Sequence, residues 1–104
     1  MRHAIAHPFE TSLIMNFESA QNYYEDLVGD ELHKQLKGNK LAGDHDFIED
    51  TACVALNRLP PRYVRHHVDL VYYLTDDEKQ KMDEAVNEVV KDAIDFVFSH
   101  RNRD

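Results

Sequence analysis

Apolar positions along the chain fall into three stretches with a helical period. In residues 13–36, Phe17, Ala20, Tyr24, Leu27, Val28, Leu32 and Leu36 recur at intervals of three and four. That spacing predicts one long helix with a single buried stripe. Glu18, Glu25, Asp26, Asp30 and Lys34 fall on its other side. Gly29 costs such a helix roughly 1 kcal/mol relative to alanine. It either admits a close neighbouring helix or is simply tolerated. Tyr23 lies off the stripe and either covers the edge of the core or faces a ligand or partner.

A second helix is predicted to start at Asp44, an acceptable N-cap, with Asp46, Glu49 and Asp50 in the early turns that favour acids. Phe47, Ile48, Thr51, Ala52, Ala55, Leu56 and Leu59 give it a broad apolar face. The small residues Ala52, Cys53 and Ala55 allow another helix to approach, and Cys53 is expected to be a small buried hydrophobe. The third helix has the clearest start: Thr75-Asp-Asp-Glu78 is a capping box with three acids in the first turn. Met82, Ala85, Val86, Val89, Val90, Ala93, Ile94, Val97 and Phe98 follow as a wide apolar face. His100, Arg101 and Arg103 then complement the negative end of the helix dipole.

Two connections separate these helices. Residues 37–43 read as a loop, with Gly38 suited to a helix C-terminus and Gly43 to a pre-helix turn. This loop lacks the Gly-Lys-Ser/Thr ending of a phosphate-binding P-loop. The second connection opens on Pro60-Pro61. A residue before proline is pushed out of the α region, so the second helix must stop near Arg58 and a stiff elbow follow. Residues 68–74 are β-branched and aromatic. They form either a strand that pairs with its copy in a second subunit or an ordered loop that fills the core with Leu70, Tyr72 and Leu74.

The expected fold is mainly α: a small three-helix domain over residues 13–104, with a short extended segment after the Pro-Pro elbow. A flexible arm precedes it over residues 1–12. The width of the third helix's apolar face points to an intertwined homodimer.

Composition narrows the chemistry. The single cysteine excludes an internal disulfide and a cysteine zinc cluster. No apolar run approaches the roughly 20 residues of a membrane span, and the N-terminus lacks a secretory apolar region, so a cytoplasmic protein is expected. Ser12, Ser19 and Ser99 sit in no nucleophile motif, and no Glu-x-x-His di-iron pattern occurs. His3 and His7 have a spacing that suits a metal only on a helix, and Pro8 stands beside them. His66 and His67, being adjacent, point different ways on a regular element. No enzyme and no metal site are therefore expected.

The net charge of −8 disfavours nucleic acid. Within this acidic chain Arg58, Arg62 and Arg65 gather at the elbow, and no acid occurs between Asp50 and Asp69. Arginine offers a planar fork to phosphate and a flat face to a base, and Tyr63 adds a second flat surface. Asn57 and Asp50 have the donors and acceptors to read base edges. Equally, Arg58 and Arg62 can neutralise the helix end and pair with nearby acids, and Asn57 can cap carbonyls. An anion site requires these guanidiniums to be out of internal ion pairs and beside concave space.

The string Asp50-x-Ala-x-x-Ala-Leu-Asn-x-Leu-Pro-Pro-x-Tyr63 closely resembles the signature of the late-competence protein ComFB family. Asn22-Tyr-Tyr-Glu-Asp-Leu-Val28 resembles the family's other recurring segment, and the likeness covers residues 15–98. The resemblance implies a regulatory protein connected with competence and motility. Cyanobacterial relatives are regarded as receptors for cyclic dinucleotides, chiefly cyclic di-GMP. On that footing the ligand-binding residues are Asn57, Arg58, Arg62, Tyr63 and Arg65, with Asp50 as a weaker candidate. A symmetric dinucleotide also suits a two-fold homodimer interface. Some similar proteins bind zinc through a cysteine cluster before the second helix. This chain has Asp44-His45-Asp46 there, so neither metal nor other cofactor is carried over. The alternative is a ligand-free dimeric adaptor that docks onto a protein partner.

Overall fold

The computed structural model describes residues 20–65 and 74–101. The expected arm at 1–12, the helical positions 13–19, His66, His67, most of the 68–74 segment and Arg103 lie outside the described residues. What is described is mainly helical: β1 (Gln21–Asn22), α1 (Tyr24–Leu36), a 3₁₀ turn (Lys40–Gly43), α2 (His45–Asn57), β2 (Tyr63–Val64) and α3 (Asp76–Arg101).

The predicted stripes bury themselves against one another. Tyr24, Val28, Leu32 and Leu36, each four residues from the next, are the buried positions of α1. Phe47, Thr51 and Ala55 do the same in α2, and Met82, Val86, Val90, Ala93 and Val97 in α3. Together with Leu59 the apolar ones among these form one core cluster, with Ala85, Val89 and Ile94 packed against its edge. The centre of α3's wide apolar face is thus covered by α1 and α2 of the same chain. Phe98, expected on that face, is instead 48% exposed. Leu74, the described end of the 68–74 segment, packs against the core, as does Tyr23.

Capping is local and follows the sequence closely. Asp44 Oδ1 accepts from the Phe47 N–H at 3.0 Å. The Thr75 hydroxyl accepts from the Glu78 N–H at 3.1 Å while Glu78 Oε1 accepts from the Thr75 N–H at 3.0 Å, the reciprocal bonds of a capping box. Gly38 follows the end of α1 with φ +81°, a conformation a side chain rarely adopts. Polar ties also cross between helices, among them Gln35 of α1 donating to the Asn87 carbonyl of α3 at 3.1 Å. Arg101 reaches Asp44 Oδ2 at 3.1 Å and lies 5.4 Å from the Phe47 ring centre, pinning the end of α3 to the start of α2. Asn87 of α3 donates to Glu31 of α1 at 3.0 Å.

Two expectations are corrected. The first helix does not run from residue 13: α1 begins at Tyr24, and Gln21–Asn22 is a strand. Periodicity reads straight through this point, but Asn22 pairs with Tyr63 of β2 and the Tyr23 N–H donates to the Arg62 carbonyl at 2.7 Å. That pairing takes the backbone out of the helix. Cys53 is exposed, not buried. It stands two residues from both Thr51 and Ala55, about 200° around the helix from the buried face. A small side chain alone does not place a residue in the core. Gly29 also resolves: a Cβ there would meet nothing within 4 Å, so this glycine serves no close helix approach. No helix among the described residues is long and apolar enough to cross a membrane.

Gly29→Ala is therefore expected to stabilise the fold by about 0.5–1 kcal/mol. The check is a raised urea midpoint with an unchanged m-value. Acid sensitivity is expected from the two caps. The Phe47 N–H, and after it Arg101, holds the Asp44 carboxyl below its ordinary 3.8. The Thr75 N–H holds Glu78 below its ordinary 4.5. A depressed folded pKa adds stability that is complete above these values and is lost as pH falls through the folded ones. The melting temperature should hold above pH 4.5 and fall below it, and fall less steeply in Asp44→Asn with Glu78→Gln.

Candidate functional site

The elbow is built from the end of α2 outward. Asn57 is the last helical residue, and the Arg58 N–H closes the helix by donating to the Ala55 carbonyl at 3.0 Å. Leu59 is buried in the core, so the chain is anchored immediately before the prolines. Pro60 and Pro61 have no N–H to donate. The next donor is the Arg62 N–H, which meets Asn22 Oδ1 at 2.9 Å. The same Oδ1 accepts from the Tyr24 N–H at 3.2 Å. Tyr63 and Val64 then pair antiparallel with Asn22 and Gln21.

This frame leaves the predicted side chains outward. Asn57, Arg58, Arg62 and Arg65 are exposed, and Tyr63 is 67% exposed. Among the described residues none of the three arginines is in an ion pair, which meets one requirement of an anion site. The guanidiniums do not converge, however. Arg58 lies 5.0 Å over the Phe96 ring, near the C-terminal end of α3. Phe96 itself stacks on His100 at 3.9 Å between ring centres. Arg62 acts electrostatically on Glu78, in the first turn of the same helix. Those two stretches of α3 are about 27 Å apart at 1.5 Å per residue. Asp50 is exposed on the outer side of α2, two turns from Asn57 and on the same side. It shares a helix face with the elbow without adjoining it.

Two hollows among the described residues lie away from the elbow. A groove of about 990 Å³ runs between α1 and the first half of α3, bounded by Asp30, Glu31, Asp83, Glu84 and Glu88 with Lys34 and Lys81. Its acids repel an anion, and no elbow residue borders it. A shallower hollow of about 500 Å³ lies at the start of α2, lined by Lys40, Gly43, Asp44, His45 and Asp46. No elbow residue borders that one either. Among the described residues no three His, Cys, Asp or Glu side chains gather in a metal-binding group.

Two residues of this region escape sequence reasoning. Asn22 lies 40 positions from its elbow partner Arg62, and no local pattern announces a contact at that range. Phe96 carries a weak signal: a phenylalanine, 40% exposed, on the polar side of an amphipathic helix.

The chain matches the family model described as late competence development protein ComFB over residues 21–101. No curated protein and no solved structure matches it.

The Arg58–Phe96 contact is expected to stabilise the fold modestly. A double-mutant cycle with Arg58→Gln and Phe96→Leu should give a coupling of about 0.5–1 kcal/mol in urea unfolding, the range of an exposed cation–π pair. A coupling indistinguishable from zero would mean that Arg58 merely rests there.

Proposed function

The chain belongs to the late competence development protein ComFB family, and from that membership we propose a non-enzymatic regulatory protein that binds a cyclic dinucleotide, cyclic di-GMP first, on its Pro-Pro elbow. The observation that carries this reading is the state of Arg62, Tyr63 and Arg65. The backbone of Arg62 and Tyr63 is bonded to the β1 segment and Arg65 follows directly on β2, yet all three side chains are exposed and the arginines are out of ion pairs among the described residues. Ordered backbone with guanidiniums out of ion pairs is what phosphate recognition needs, because little entropy remains to be lost on binding. Arg62 and Arg65 grip phosphate, Tyr63 offers a face to a base, and Asn57 reads a base edge. Arg58 and Asp50 stand at the margin, one stacked on Phe96 and the other two helical turns away.

The divergence of Arg58 and Arg62 favours a site completed by a second copy. Two elbows facing each other across a two-fold axis would supply a symmetric dinucleotide with matching arms. The competing reading is a ligand-free adaptor. It is favoured by the acidic groove between α1 and α3, which suits a cationic protein segment better than a nucleotide.

Calorimetry with cyclic di-GMP and cyclic di-AMP on wild type and Arg62→Ala separates them. The receptor reading expects saturable heat with cyclic di-GMP, a stoichiometry of one dinucleotide per two chains, and at least about tenfold weaker binding in Arg62→Ala, since charged hydrogen bonds contribute about 1.5–3 kcal/mol each. Wild type that gives no heat at high ligand excess overturns it. A partner then captured equally well with and without nucleotide establishes the adaptor.

A further inference from the structure

Asn22 belongs to no ligand-facing set, yet the elbow closes on it. Its Oδ1 accepts the Arg62 N–H at 2.9 Å and the Tyr24 N–H at 3.2 Å. One residue on, the Tyr23 N–H donates to the Arg62 carbonyl at 2.7 Å. Arg62 is therefore bonded on both sides of its Cα by a segment far away in sequence. Fixing both peptide units fixes the φ and ψ of Arg62, and with them the direction in which its side chain leaves the backbone. The two prolines cannot do this themselves, having no N–H with which to bond the rest of the fold.

We infer that Asn22 is a positioning residue for the proposed anion site: its side-chain carbonyl holds the Arg62 N–H, and with it the Pro61–Arg62 peptide, in the conformation that presents the guanidinium to phosphate. This rests on the receptor reading of the elbow. Because one oxygen serves both Arg62 and Tyr24, Asn22 also joins the start of α1 to the elbow. A cap for α1 alone would affect stability and leave ligand affinity untouched. A positioning residue alters both the order of Arg62 and its affinity for the anion.

The test uses the full chain as wild type, Asn22→Leu and Asn22→Asp, with three measurements on each: hydrogen exchange at the Arg62 amide, urea unfolding, and calorimetry with cyclic di-GMP. Leucine keeps the size of asparagine and has no acceptor. Aspartate keeps the acceptor, and roughly 0.5 M salt shortens the Debye length to a few ångströms so that its charge is screened. Asn22→Leu is expected to exchange the Arg62 amide about tenfold faster and to bind about tenfold more weakly, the effect of losing one good hydrogen bond. Asn22→Asp should stay within about threefold of wild type on both counts at the same salt. Wild type that binds, with Asn22→Leu binding equally well, overturns the inference and leaves the receptor reading standing. Silent wild type overturns the receptor reading, and the positioning role falls with it. Should Asn22→Leu fail to fold, Asn22→Asp decides: tenfold weaker binding with the Arg62 amide still protected overturns the inference.

Discussion

Two successive prolines impose the constraint on which this structure turns. Helical geometry is forbidden to the residue before each, and neither ring nitrogen can donate a hydrogen bond. The chain leaving α2 therefore has to stop at the helix end and make its way without backbone help until Arg62. What keeps this stretch from fraying lies on either side of it. Leu59 is sunk in the core before the prolines, and the Arg62 amide and carbonyl are both taken up after them. The elbow is stiff within itself because of proline, and stiff relative to the fold because of its two anchors.

The helical frame supplies those anchors through short-range bonds that tie the helices end to end. Asp44 caps α2 with one carboxylate oxygen and binds Arg101 of α3 with the other. Asn22 gives its single oxygen both to the start of α1 and to the elbow. In each case one side chain fixes a helix end and a distant segment together, so element ends are placed by the fold and not left to loop flexibility. Thr51 is the buried polar residue of this core. Its hydroxyl is buried and, among the described residues, has no hydrogen-bond partner. Such a group usually costs about 1–3 kcal/mol.

Features that repeat within one turn are legible from sequence. The four-residue stripes, the Thr75–Glu78 box, the Asp44 cap and the stop at Arg58 all depend on residues within a few positions of each other, and the structure places them as their spacing predicts. Features that depend on direction around a helix are less so. Cys53 has the size of a core residue but the wrong azimuth. Phe98 continues an apolar run beyond the point where the chain covers it. Least legible are contacts at long range. An Asn-Tyr-Tyr segment reads as more helix, since nothing near it reveals that residues 40 positions later compete for its backbone. The chemistry of the elbow follows the same division. Which residues carry charge is plain from sequence, whereas the departure of Arg58 toward Phe96 and of Arg62 toward Glu78 is a property of the packed fold.

That departure bears on the anion site proposed for this acidic protein. With a net charge of −8, the field at long range repels phosphate, and only attraction within about a Debye length, ~8 Å at physiological salt, works in its favour. Arg58 is drawn aside, its guanidinium lying over the Phe96 ring. Arg62 is partly offset by Glu78. Of the elbow's cations Arg65 is the one with no described partner among its neighbours, and a single exposed arginine is a weak grip. In the receptor proposed above, strength would come from order: a backbone already fixed by Asn22 and β1, and an exposed Tyr63 ring. The same shortfall of charge within one chain is the physical reason to look for the rest of the grip on a second copy. In the proposed dimer, two elbows would double the guanidiniums within reach of one ligand without adding a single base to either fold.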